Sequence, residues 1–202
     1  VERAPVRALV ALLICLAGPA LAADFPALHA VSDVAADDML NIRSRPDANA
    51  PVIGALAPDA QDVEVVRLSQ DGRWGLVNLA EQSGWAAVAY LTAQDSPPDA
   101  ERPLNCSGTE PFWSLQTGGT MLLTQLDTPT AEYFITTRTT ASGRSDRYAL
   151  GGGGMEGLAT ALITRQICSD GMSDREFGFE IDLLIDTGEA QTYLTGCCAL
   201  TP

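Results

Sequence analysis

Short pulses of apolar residues, many alternating with polar ones, recur along the chain with Gly, Pro, Asn, Asp and Ser between them. A period of two sends every second side chain to the same face, which is the pattern of a half-buried strand. The cleanest case is Met-Leu-Asn-Ile-Arg at 39–43, where Leu40 and Ile42 share a face. Similar pulses occupy 27–31, 52–56, 63–66, 74–77 and 84–88, and Asp71-Gly72 supplies a hairpin signal. Five or six strands this short and this closely spaced predict a small β-barrel.

The second half repeats the pattern at 111–115, 120–124, 131–137, 147–150, 177–185 and 191–200. Residues 158–168 fit two periods: Leu158 and Leu162 match a helix, whereas Thr160, Leu162 and Thr164 match a strand, and the β-rich surroundings favour strand. Seven or eight strands are expected, the first starting at Pro111. The run from Gly151 to Gly154 lacks the Gly-Lys-Ser/Thr ending of a phosphate cradle and predicts a flexible turn. The fold class is therefore all-β, with a small N-terminal barrel and a C-terminal antiparallel domain, either barrel or sandwich.

Residues 1–22 read as a secretory signal peptide: Arg3 and Arg7 precede a short apolar run, which ends at Gly18-Pro19 and Ala20-Leu21-Ala22. Cleavage is expected near Ala22, giving an exported chain in the periplasm or outside the cell with no membrane span. Residues 94–103, polar and rich in proline, predict an extended, semi-rigid linker between domains at 27–93 and 104–202.

The run Leu40-Asn41-Ile42-Arg43-Ser44-Arg45-Pro46, followed by Val52-Ile53-Gly54, Trp74, Gly84-Trp85-Ala86 and Tyr90-Leu91, resembles the bacterial SH3 (SH3b) domain over most of residues 27–93. Ala86 stands where that family usually has valine. The resemblance implies an SH3-like barrel appended to an envelope protein, in some cases binding peptidoglycan peptides or other cell-wall ligands. Three further elements, Cys106-Ser107-Gly108-Thr109-Glu110-Pro111-Phe112-Trp113, Cys168 to Asp174 and Gly196-Cys197-Cys198, resemble an uncharacterised bacterial envelope family with C-x-G-x-E-P-F-W, C-x-D-x-M-S-D and G-C motifs. This second resemblance implies location and fold and is silent on chemistry.

Charge narrows the partners. The full chain carries −14, its 12 basic residues are all arginine, and loss of Glu2, Arg3 and Arg7 leaves the mature chain one unit more negative. Such a field repels phosphate backbones and anionic lipid, so nucleic acid and membrane surfaces are not expected partners. The cell wall or a periplasmic protein remains.

Four cysteines follow the signal peptide: Cys106, Cys168, Cys197 and Cys198. In an exported chain they read as disulfides. A Cys197–Cys198 bond is disfavoured because neighbouring Cα atoms lie only about 3.8 Å apart. On a strand these two side chains point to opposite faces, so Cys106 and Cys168 are each expected to take one of them.

Catalytic chemistry is constrained by inventory. The one histidine, His29, lies far in sequence from the cysteine motifs, so no Cys-His or Ser-His-Asp unit assembles in the second domain, and several-histidine zinc sites are excluded. No metal or other cofactor is expected. Asp170, Ser173, Asp174 and Glu176 are oxygen ligands without the spacing of a calcium loop, and an Asp-Gly turn with local capping is the simpler account. Paired carboxylates, Glu110 among them, keep a small wall hydrolase open as an alternative. A non-enzymatic binding protein is the expectation.

Candidate ligand-binding residues are Arg43, Trp74, Trp85 and Tyr90 in the first domain, with Glu110 and Trp113 in the second. Each tryptophan is either core filling or an aromatic platform, and Arg43 either grips a ligand carboxylate or pairs with a structural acid. Glu110 either caps the turn before Pro111 or faces a ligand. Phe112 and Trp113 should point to opposite faces, so only one of them can be core.

Overall fold

A computed structural model describes residues 25–201. The expected signal peptide lies outside these residues. The chain is all-β, and among the described residues no helix is long and apolar enough to cross a membrane.

Residues 27–93 form one antiparallel sheet. Its strands are β1 (Ala27–Val31), β2 (Leu40–Arg43), β3 (Val52–Leu56), β4 (Val63–Leu68), β5 (Trp74–Asn78), β6 (Ser83–Ala87) and β7 (Leu91–Ala93). They lie in the order β3-β2-β6-β5-β4-β1-β7. The strand count exceeds the five or six expected because β7, three residues long, leaves a one-turn 3-10 helix at Val88–Tyr90 and pairs with β1. Val31, Leu40, Ile42, Val65, Val77, Ala86 and Leu91 make its core. The alternation at 39–43 is realised there: Leu40 and Ile42 are buried and Asn41 is exposed.

Residues 104–200 close into a barrel of eight antiparallel strands. These are β8 (Leu104–Thr109), β9 (Phe112–Thr117), β10 (Thr120–Gln125), β11 (Ala131–Thr140), β12 (Arg147–Gly154), β13 (Gly157–Cys168), β14 (Phe177–Asp186) and β15 (Gln191–Leu200). Each strand pairs with its neighbours in sequence, and β15 pairs back onto β8 to complete the ring. The interior is filled by inward-facing residues from every strand, including Leu115, Met121, Tyr133, Leu150, Phe179, Ile181 and Leu183.

Three local expectations are corrected. The first barrel strand starts at Leu104, ahead of Pro111, because Asn105 to Thr109 pairs with β9 on one side and Leu104 to Ser107 pairs with β15 on the other. Gly151 to Gly154 is the end of β12 and not a flexible turn. The reason is close approach: a Cβ on Gly152 would sit 2.6 Å from the Phe134 carbonyl oxygen, and one on Gly154 would sit 2.0 Å from that of Glu132. The segment 94–103 is not uniformly extended either. It turns through a 3-10 helix at Asp99–Glu101 whose Ala100 packs on the barrel core. Arg138 donates to the Ala100 and Gly118 carbonyls, and Asp99 pairs with Arg102 and Arg165.

The sheet and the barrel meet along a polar seam. Asp174, in the loop between β13 and β14, exchanges backbone hydrogen bonds with the turn between β5 and β6: its N–H donates to the Glu81 oxygen at 3.0 Å and its oxygen accepts from Ser83 at 3.1 Å. Glu176 accepts two bonds from the Arg67 guanidinium, at 2.7 and 2.8 Å. Its backbone N–H donates to Ser83 Oγ, and its carbonyl accepts from Asn78 Nδ2, both at 2.9 Å. At the far end of the seam Glu64 Oε1, on β4, accepts the Leu200 N–H of β15 at 2.9 Å. Burial pushes the Glu64 carboxyl up from 4.5 to about 7, with the Leu200 N–H and the nearby Arg175 charge pulling the other way.

Two outcomes follow from these contacts. Gly154→Ala forces β11 and β12 apart and should lower stability by about 1–3 kcal/mol in urea unfolding; an unchanged midpoint would show that the strands have room for a methyl group. Glu64 keeps its proton in the folded state over a range where the unfolded chain has released it. Its contribution to stability is therefore complete below about pH 4.5 and is lost as pH rises through about 7. The Glu64→Gln variant should gain stability relative to wild type across that window; parallel pH curves for the two proteins would refute this assignment.

Candidate functional site

The principal hollow of the first sheet, about 420 Å³, lies between the segment after β1 and the strands β2 and β5. Its wall includes Asp33, Asp38, Met39, Arg43, Trp74 and Tyr90. The period of two in β2 places Arg43 there, since Leu40 and Ile42 are turned into the core. Trp74 opens β5 opposite Ala87. Tyr90 ends the 3-10 turn, and its carbonyl accepts the Ser32 N–H at 3.0 Å, which fixes it beside the segment that carries Asp33.

Three of the residues expected to bind a ligand, Arg43, Trp74 and Tyr90, thus share one groove. Tyr90 is 42% exposed and Met39 46%, so the wall offers apolar area to solvent. Two exposed carboxylates, Asp33 and Asp38, face the same space. Arg43 makes no ion pair with an acid among the described residues: its Nη1 donates to the Ala50 carbonyl at 2.8 Å, which orients the guanidinium.

Trp85 does not line this groove. The Arg67 guanidinium lies 4.9 Å from its ring centroid and is itself held by Glu176. A stacked cation and its carboxylate partner make Trp85 part of the seam. Arg67 in turn holds the Glu176 carboxyl below its ordinary range, through its hydrogen bonds first and its charge second.

Trp113 is 5% exposed and belongs to the barrel core, with only an edge reaching the hollow at the barrel rim. The indole occupies space that side chains on two neighbouring strands would need. A Cβ on Gly108 would sit 2.2 Å from its Nε1, and one on Gly196 would sit 2.9 Å from its Cζ2. The spaced glycine and tryptophan of the first cysteine motif therefore form one packing unit, with Gly108 and Trp113 directly opposite each other in the β8–β9 register. Phe112 is the outward partner at 56% exposure. With Leu126 and the hydroxyls of Ser114 and Thr124 it lines a shallow second hollow of about 470 Å³ at the barrel rim. Phe112 is the site residue that sequence reasoning left unassigned, because alternation puts one of two adjacent aromatics outside without saying which. Glu110 is exposed at the hairpin beside it and makes no hydrogen bond among the described residues, so it does not cap the turn.

The remaining chemical groups are engaged structurally. Asp170 accepts the Met172 and Ser173 N–H groups at 3.0 and 2.9 Å and the Ser173 hydroxyl at 2.8 Å, the geometry of a capped turn. His29 is 7% exposed and stacks on Phe25 at 6.0 Å; burial lowers its pKa, so the ring is neutral near pH 7. Cys106 bonds Cys198 and Cys168 bonds Cys197, so the adjacent cysteines take different partners as the strand argument requires.

Set against protein-family models, curated proteins and solved structures, the chain matches none of them.

Proposed function

We propose that this is an exported, non-enzymatic envelope protein whose N-terminal sheet is an SH3b-type module that binds the cell wall, with the barrel as a second module docked against it. The observation that carries this reading is the groove in which Arg43, Trp74 and Tyr90 converge. Its chemistry suits a peptide or amide-bearing ligand. Aromatic faces take apolar area, the guanidinium takes a carboxylate, and the two aspartates take an amine or amide N–H. Among the described residues the one histidine is buried, and Asp170 and Glu176 are committed to turn and seam, an arrangement that suits a binding role.

A second reading, in which the barrel rim binds a periplasmic protein as an inhibitor or sensor would, is favoured by one observation. Phe112 and Leu126, 56% and 73% exposed, stand together at the rim.

Sedimentation of the mature protein with purified sacculi tests the first reading. Wild type should co-sediment, and replacing Trp74 and Tyr90 together by alanine should weaken binding about tenfold or more. Phe112→Ser should leave it unchanged. No co-sedimentation at low and moderate salt would refute wall binding, and loss of binding on Phe112→Ser would move the site to the barrel.

A further inference from the structure

The two disulfides sit on opposite faces of β15. Cys198 points into the barrel, and its bond to Cys106 is sealed, the two residues being 0% and 2% exposed. Cys197 lies on the other face of β15 and is itself only 2% exposed, but its partner Cys168 ends β13 in a partly exposed position, so this bond is open to solvent from the Cys168 side. That second bond borders a small hollow of about 190 Å³, walled by Ser107, Thr109, Ser169, Asp170 and Glu180. The hollow has room for a thiol-bearing group beside the sulfurs.

The geometry points to Cys168–Cys197 as a thiol-exchange site that takes a neutral dithiol as its reductant. Cys168 is the more exposed of the two residues, so the incoming thiolate attacks its sulfur. The S–S bond breaks, Cys197 leaves with the electron pair and takes up a proton, and a mixed disulfide forms on Cys168. The second thiol of the reductant then displaces Cys168 and departs as an internal disulfide. Two electrons and two protons have entered the protein, and the reductant has been oxidised by the same amount. Asp170 and Glu180 on the wall disfavour an anionic thiol. The exchange does not spread to the other bond: while β15 stays paired, the freed Cys197 lies on the face opposite Cys106–Cys198.

The consequence lies at the seam. Cys168 is the N-terminal anchor of the loop at 169–176, and that loop supplies Asp174 and Glu176 to the sheet. Opening the bond unties this end of β13 from β15 and leaves the loop's start held by the pairing of Cys168 with Phe177 beyond the β13 bulge, so the docking contacts lose a covalent support. The site thereby couples thiol chemistry to the attachment of the two modules.

The test treats the full mature protein with dithiothreitol under native conditions, quenches by alkylation, and follows peptide mapping together with amide hydrogen exchange. The expected result is alkylation of Cys168 and Cys197 with Cys106 and Cys198 still bonded, and exchange several-fold faster at residues 79–83 and 169–176 while the other barrel strands are unchanged. Glutathione, at matched thiolate concentration, should react more slowly. Alkylation of all four cysteines together, or of Cys106 and Cys198 first, would overturn the proposal, as would an opened bond with unaltered exchange at 79–83. A glutathione rate equal to or above that of dithiothreitol would overturn the assignment of a neutral reductant. Replacing both Cys168 and Cys197 by serine should reproduce the exchange pattern of the reduced protein; should that variant not fold, the wild-type titration still decides.

Discussion

Closure of the barrel depends on one pairing between distant strands. In an up-and-down ring every contact but one joins neighbours in sequence, and the exception, β15 onto β8, must bring together residues on opposite ends of the domain. Bringing such ends together costs loop entropy before any contact repays it. The Cys106–Cys198 bond spans 92 residues across this pairing, and in the chain-entropy account a cross-link of that length contributes about 4.6 kcal/mol by restricting the unfolded chain. Around it the packing is unusually specific: the Trp113 indole lies over Gly108 and Gly196, so three strands contribute to one closure. The residues that look most like an active site in the sequence are thus the fastening of the ring.

The seam follows a different logic. Its hydrogen bonds and its bidentate ion pair lie partly exposed, with Arg67 and Glu176 side chains at 38% and 33%. Exposed pairs of this kind contribute little singly, at most about 1 kcal/mol. What the seam supplies is register: a backbone bridge, an arginine stacked on Trp85 and a half-buried carboxylate at the far end fix one orientation. The groove of the first sheet lies outside this contact, with none of Arg67, Glu64 or Glu176 in its wall.

Legibility in the sequence tracked the range of the interaction. Leu40 and Ile42, the hairpins and the division of cysteine partners rest on strand parity, which a short window contains. Residues 158–168 form a strand although their pattern also fits a helix, because β12 and β14 flank them on both sides. The tetraglycine misled because composition signals freedom, whereas here the missing side chains admit a neighbouring backbone. The strand at 104–109 was hidden by its own composition, in which Ser107, Gly108 and Thr109 carry no apolar alternation. The turn at Asp99–Glu101 was invisible because Arg138 and Arg165, which hold it, come from the barrel. Likewise Trp85 could not be assigned to the seam without Glu176, 109 positions from Arg67. Of the candidate site, three residues converge, and the fourth candidate in the sheet, Trp85, was claimed by a partner that only the fold brings near.

The segment at 94–103, short and pinned at Asp99 to Glu101, gives that weak seam a meaning beyond its bond count. A tether so brief holds the two surfaces at an effective concentration in the millimolar range, so an association far too feeble to survive between separate chains stays closed within one. The same arithmetic makes the contact reversible: a modest pull on either module can part the surfaces, and the tether returns them without a search.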